Sequence, residues 1–255
     1  MAKSKAAIKN GWIPNQHGAW PMTIFPPFLG AFWGGFTWVQ LWLALTWLVA
    51  FFFFNVFGFW MKAKSKNRYI AALTTYGAVS GISALGLVIV YPWLLWWGIP
   101  IALCFIVVVF EMYMRRERSL AARLSAIAAS SLMAPITYSL GSAPSDWNQL
   151  ITMTLLLAAY YSGTVPYVKT MVRERGSKRW CWGSWVFHTV VFVTTAVLFV
   201  LGKINVLIPI AWLVLLVRAW AFPMYSTKMD KRIPPPVIGR SEVGFSILAL
   251  GSLLF

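Results

Sequence analysis

An all-α polytopic membrane protein, a bundle of about nine transmembrane helices, is what this sequence predicts, on two observations. Of 255 residues, 60% are hydrophobic and only 11% charged, with a mean hydropathy of +0.70, whereas a soluble domain carries roughly 25% charged residues to keep its surface wet. The second is sorting: 21 of the 22 lysines and arginines are assigned to one side, in the tail, on alternate loops or in the adjoining parts of runs, the signature of the positive-inside rule.

The first run spans 19–36 and contains Pro21, Pro26 and Pro27, so an irregular start is expected. The second, 41–61, holds four consecutive phenylalanines and is stopped by the basic loop Lys62 to Arg68. Runs three and four, 69–91 and 92–113, meet at Pro92; the cluster Arg115, Arg116, Arg118 precedes run five, 120–140. A polar turn leads to run six, 149–170, and a basic stretch to run seven, 183–201. Lys203 sits in the short turn before run eight, 206–225, and a proline-rich loop precedes a short last run, 243–255. All but the first and the last approach the ~20 residues needed to cross hydrocarbon. Residues 19–255 thus read as a single transmembrane domain behind a basic tail, 1–18, which lacks a compact apolar core and reads as retained rather than cleaved.

Placing the basic loops in the cytoplasm puts the N-terminus inside and the C-terminus outside, with Arg218 counted among the loop charges and Lys203 the one exception. The same rule accounts for the net charge of +16 without a polyanion, and nucleic acid is excluded as a partner because its binding modules do not carry repeated apolar runs of this length. Cys104 falls in an apolar run and Cys181 beside a basic loop, so neither a disulfide nor a metal-type cysteine motif is expected. Gly77 and Gly81, four apart, suit close helix packing within the bundle.

Polar groups inside spans are where chemistry is sought. The six acidic residues, Glu111, Glu117, Asp146, Glu174, Asp230 and Glu242, read as interfacial and unpaired at i, i+4, so neither a metal site nor a carboxylate proton relay is expected. His17, in Gln16-His17-Gly18, and His188 both fall in the cytoplasmic half. A haem between them lacks any further motif; no cofactor is expected, and both read as hydrogen-bonded structural histidines. The segment from Tyr160 to Lys169 is polar for a span end. Pro166 is expected to interrupt its helix, with Tyr161, Thr164 and Tyr167 as cavity-lining candidates. Lys169 and Arg173 share a helix face suited to a phosphate or anionic headgroup. Asn55 is an amide in mid-span that wants an interhelical partner, and Lys62, Lys66 and Arg68 follow it.

The string Pro14-Asn15-Gln16-His17-Gly18-Ala19-Trp20 resembles the opening of the YwiC-like family of bacterial membrane proteins, and Gly163-Thr164-Val165-Pro166-Tyr167-Val168-Lys169 with Arg173-Glu174-Arg175 looks like that family's second hallmark. The likeness covers most of the chain and implies the bacterial cell membrane, without implying an activity. More distantly, the chain is similar to the UbiA prenyltransferase superfamily, which has nine helices and working loops after helices two and six. In those enzymes Asn- and Asp-rich motifs bind magnesium, which holds an isoprenoid diphosphate. Asn55 stands where the first motif would begin, but Phe59 and Ala63 replace its acids, and the later loop offers Lys169, Arg173 and Arg175. What that resemblance implies here is a cavity in which basic residues meet phosphate directly.

The expected function is to bind or modify an isoprenoid, quinone or other anionic lipid, with Lys62, Lys66, Arg68, Lys169 and Arg173 at the headgroup and Gln16, His17, Asn55, Tyr161, Thr164, Tyr167 and His188 lining the cavity. Alternatives are a small-solute transporter, and an accessory subunit of a respiratory or other membrane complex with protein partners packed on aromatic faces.

Overall fold

The computed structural model describes residues 10–14, 19–229 and 233–255, so Gln16 and His17 lie outside the described residues. Among these, all regular structure is helical: α1 (Ala19–Gly34), α2 (Trp38–Lys62), α3 (Asn67–Val90), α4 (Leu94–Tyr113), α5 (Leu120–Ser131), α6 (Met133–Ser139), α7 (Trp147–Val172), α8 (Lys178–Val200), α9 (Leu207–Lys228) and α10 (Pro235–Leu254). Seven described segments are long and apolar enough to cross a membrane: α2, α3, α4, α5 with α6, α8, α9 and α10. The α1 helix has 16 residues, and the 26-residue α7 is diluted by threonine, tyrosine and serine. The chain is an all-α polytopic membrane protein, packed as two compact units, Met1–Ser145 and Asp146–Phe255.

In the first unit, α1 lies backbone-to-backbone on α6. A Cβ added at Gly30 would sit 2.1 Å from the Ala134 carbonyl oxygen, and one at Gly34 would sit 2.8 Å from that of Tyr138. This is the small-xxx-small approach, made by Gly30 and Gly34. Gly77 instead faces the Phe53 ring, and Gly81 faces open space.

The turn after α1 then ties off α6. Thr37 caps α2 in a reciprocal box with Gln40. The Thr37 hydroxyl donates to the Leu140 carbonyl at 2.9 Å, and the buried Gln40 amide donates to the Thr137 carbonyl at 2.9 Å. The Leu140 carbonyl at the helix end thereby gains a donor, and the Thr137 carbonyl, which also accepts from the Leu140 N–H at 3.1 Å, gains a second. Gln40→Leu removes one of the two donors to the Thr137 carbonyl and takes the Gln40 Oε1 acceptor from the Thr37 N–H. It is expected to destabilise the first unit by about 1–3 kcal/mol, read as an earlier thermal unfolding midpoint in detergent, and an unchanged midpoint refutes the role.

The expected continuous fifth span is broken at Leu132. Pro135 has no N–H to give Ser131 and clashes with the preceding turn. The Ser130 hydroxyl at the break donates to the Met22 carbonyl.

In the second unit Asp146 caps α7, accepting from the Gln149 N–H at 2.8 Å. Contrary to expectation, Pro166 does not interrupt α7, which runs unbroken from Trp147 to Val172, and the Tyr161 carbonyl accepts from Thr164 Oγ1 at 2.7 Å. The last helix starts at Pro235 rather than 243 and has 20 residues, enough to span. Proline at its first turn presets the helical φ. Glu242, expected at an interface, and Arg218, expected in a loop, instead lie buried within α10 and α9, where they pair.

Candidate functional site

Helices α2, α3, α4 and α6 line an open cavity of about 460 Å³, within the usual range for a ligand pocket. Its walls are apolar, with Leu43, Phe53, Leu87, Trp97, Ile101 and Phe105 prominent. Glycines open it: a Cβ at Gly81 or Gly98 would meet nothing within 4 Å. Few polar groups line it, and their hydroxyls are engaged. Trp42 Nε1 donates to Ser83 Oγ (2.8 Å), which lies 2.6 Å from Thr46 Oγ1, which donates back to the Trp42 carbonyl (2.9 Å). Ser80 donates to the Tyr76 carbonyl at 2.6 Å. The Trp47 Nε1 donor is buried without a hydrogen-bond partner among the described residues.

This cavity occupies the half of α2 remote from its basic end, nine residues from Phe53 to Lys62, or about 14 Å of helix. An aromatic strip bridges that interval. Phe53 stacks on Phe57 (6.0 Å) and Phe57 on Trp60 (5.9 Å), and the Lys66 ammonium sits 4.5 Å from the Trp60 ring centre. At the same end Lys62 pairs with Glu117 at 2.8 Å, holding that carboxyl below the usual carboxylate range, and Arg68 lies over the Tyr69 ring at 4.7 Å. Lys62, Lys66 and Arg68 are thus gathered at one end of α2 and α3. Asn55 is buried on α2, and neither its Oδ1 nor its Nδ2 has a hydrogen-bond partner among the described residues.

The remaining candidates belong to the second unit. Lys169 lies over the Trp180 ring at 3.9 Å, and Arg173 is exposed just beyond α7. Tyr161 and Tyr167 are buried on α7, and Thr164 is half-buried. On α8, buried His188 uses Nδ1 toward the Ser184 carbonyl at 2.8 Å, which fixes the proton there because a carbonyl only accepts. Its Nε2 would lie 3.1 Å from a Cβ at Gly163, so the ring packs against α7.

Sequence reasoning missed the group at the centre of this unit. Arg218, 2% exposed, donates through Nη1 to both Glu242 carboxylate oxygens, at 2.7 and 2.8 Å. Its guanidinium lies 4.2 Å from the Tyr167 ring centre and 4.7 Å from that of Phe245. The Tyr160 hydroxyl lies 2.9 Å from Ser246 Oγ and donates toward the Glu242 backbone carbonyl at 3.3 Å. The available signal was position: Arg218 stands well inside an otherwise apolar run. Among the described residues no group of three or more His, Cys, Asp or Glu could hold a metal ion.

Comparison with known proteins comes down to a few matches. Residues 13–138 match the model of the YwiC-like protein family. A Bacillus subtilis strain 168 protein described as "Uncharacterized protein YwiC" is 27% identical over 183 residues, 69% of this chain and 73% of its own. An uncharacterized protein of Haemophilus influenzae is 27% identical over 216 residues, 83% of this chain and 86% of its own. No solved structure matches the chain, and the UbiA likeness is not among the matches.

Proposed function

Since residues 13–138 match the YwiC-like family, and since the cavity lies within that stretch, we propose that this membrane protein binds an anionic lipid through the first unit. The hydrocarbon chain, of isoprenoid or quinone type, fills the cavity between α2, α3 and α4, and the headgroup meets Lys66 and Arg68. The observation that supports this is the strip Phe53, Phe57, Trp60, which joins cavity to cation. A chain of about 14 Å reaches from one to the other. Lys62 is already held by Glu117 and contributes positive potential rather than a free donor. At the end of α7, Lys169 and Arg173 offer a further cationic surface to headgroups. With its basic loops in the cytoplasm of a bacterial cell, the protein would receive the headgroup from the inner leaflet.

Gly81→Leu and Gly98→Leu test this, because both positions line the cavity and a Cβ at either meets nothing within 4 Å, which leaves room for added bulk. Native mass spectrometry of gently purified parent protein should show a retained lipid adduct, lost in both variants and reduced in Lys66→Ala. Bulk phospholipid alone, at equal occupancy in all three variants, would remove the proposal.

A second reading, small-solute transport, is favoured by one observation: the Arg218–Glu242 pair is buried in the interior of a spanning unit, where ionisable residues mark solute and ion pathways. Solute uptake into proteoliposomes is its test.

A further inference from the structure

Arg218 spends only one of its three nitrogens. Nη1 serves both oxygens of Glu242, while Nε and Nη2 have no hydrogen-bond partner among the described residues, although the residue is 2% exposed. Those two N–H groups lie on one edge of the guanidinium and form the planar fork that matches the two oxygens of a carboxylate. The Tyr167 hydroxyl, on a residue with no exposure whose ring carries the guanidinium, is also without a partner. Buried donors normally find acceptors. Here three donors on two adjoining side chains lack one.

We infer that the second unit holds a binding site for a small monocarboxylate, taken bidentately by Nε and Nη2 of Arg218, with the Tyr167 hydroxyl as a third donor. The surroundings select the class. Tyr167 and Phe245 cover the faces of the guanidinium, and Met171, Ala219 and Ile238 pack against Tyr167, so the acid is small and otherwise apolar. The site lies ten residues from the end of α9 at Lys228 and seven from the start of α10 at Pro235, about 10–15 Å of helix from that end. Exposed Lys228 and Arg240 there attract anions.

Charge balance adds a proton. The buried pair is neutral as it stands, and a carboxylate arriving alone would leave one uncompensated negative charge in hydrocarbon. The other ionisable groups packed around the pair are Tyr160, Tyr161 and Tyr167 of α7 and His188 of α8, the last giving its Nδ1–H to the Ser184 carbonyl. Glu242, the carboxylate that gives up Arg218, is the acceptor we assign to that proton. One anion and one H⁺ enter, the Arg218–Glu242 ion pair is exchanged for Arg218–carboxylate, and Glu242 becomes a neutral acid.

The test is calorimetric titration of the full chain in nanodiscs with sodium benzoate at pH 6, 7 and 8, in two buffers of different ionisation enthalpy. Expected are saturable binding, uptake of about one proton per benzoate, and an affinity falling roughly tenfold per pH unit while the acid stays ionised. Tyr167→Phe, which removes one hydroxyl and keeps the ring, should weaken binding roughly tenfold. Arg218→Lys keeps the charge and loses the fork, so binding should vanish. Glu242→Gln mimics the protonated acid and should bind with no proton uptake, benzoate raising its thermal midpoint. No saturable binding to the folded parent, as when water alone fills the fork, overturns the inference. So does binding without proton uptake, or binding that Arg218→Lys leaves unchanged, as when benzoate sits on surface cations.

Discussion

Gly30→Leu should be among the most damaging single substitutions in the first unit, at about 3 kcal/mol, the upper end of overpacking effects. The atom that a new Cβ meets at 2.1 Å is the Ala134 carbonyl oxygen, with the Tyr138 backbone N at 2.9 Å. A flexible side chain could swing aside, but helix backbone cannot. Relief requires separating α1 from α6, which also pulls on the Thr37 and Gln40 bonds to the end of α6. Gly34→Leu should follow, since its Cβ would stand 2.8 Å from the Tyr138 carbonyl. Gly98→Ala serves as control: nothing lies within 4 Å, and helix propensity favours alanine by about 1 kcal/mol. Thermal unfolding in a fixed detergent separates the cases, and a Gly30→Leu protein melting with the parent would show that α1 does not pack on α6.

Glu242→Ala should destabilise the second unit by about 3–5 kcal/mol, because it leaves the Arg218 charge buried without a counter-ion. The pair itself contributes far less than that. Removing both charges together, in Arg218→Met with Glu242→Leu, should restore stability to near or above that of the parent, since a well-packed apolar pair avoids desolvating either ion. The double variant should at the same time lose anion binding. If Glu242→Ala alone melted with the parent, Arg218 would have to reach water by another route.

The alternation of spans was legible because two independent quantities, apolar length and loop charge, agree at nearly every boundary. Span starts and ends fall within a few residues of the helices through most of the chain. The last helix was shortened because Arg240 and Glu242 read as loop residues. Nothing local announces that an acid on α10 meets an arginine 24 positions earlier on α9. Pro135 did carry the break at Leu132, but the apolar run continues smoothly past it and masked the signal. Gly30 and Gly34 were equally visible, in a segment whose prolines drew the attention, while Gly77 and Gly81 have the spacing of a packing motif and one of them opens on empty space. A cavity is an absence of side chains, and composition records only those present. The basic residues Lys62, Lys66 and Arg68 were found by charge, whereas the aromatic strip joining Lys66 to the cavity depends on helical stacking of residues three and four apart.

The Gln40 knot also sets a timetable for biogenesis. Its acceptor lies 97 residues further along the chain, and that of Thr37 103 residues further. At ribosomal speeds of about 5–20 residues per second, the amide waits roughly 5–20 seconds before its partner is synthesised. During that interval Gln40 can already accept from the Thr37 N–H through Oε1, while its amide N–H₂ waits for the carbonyl that α6 brings.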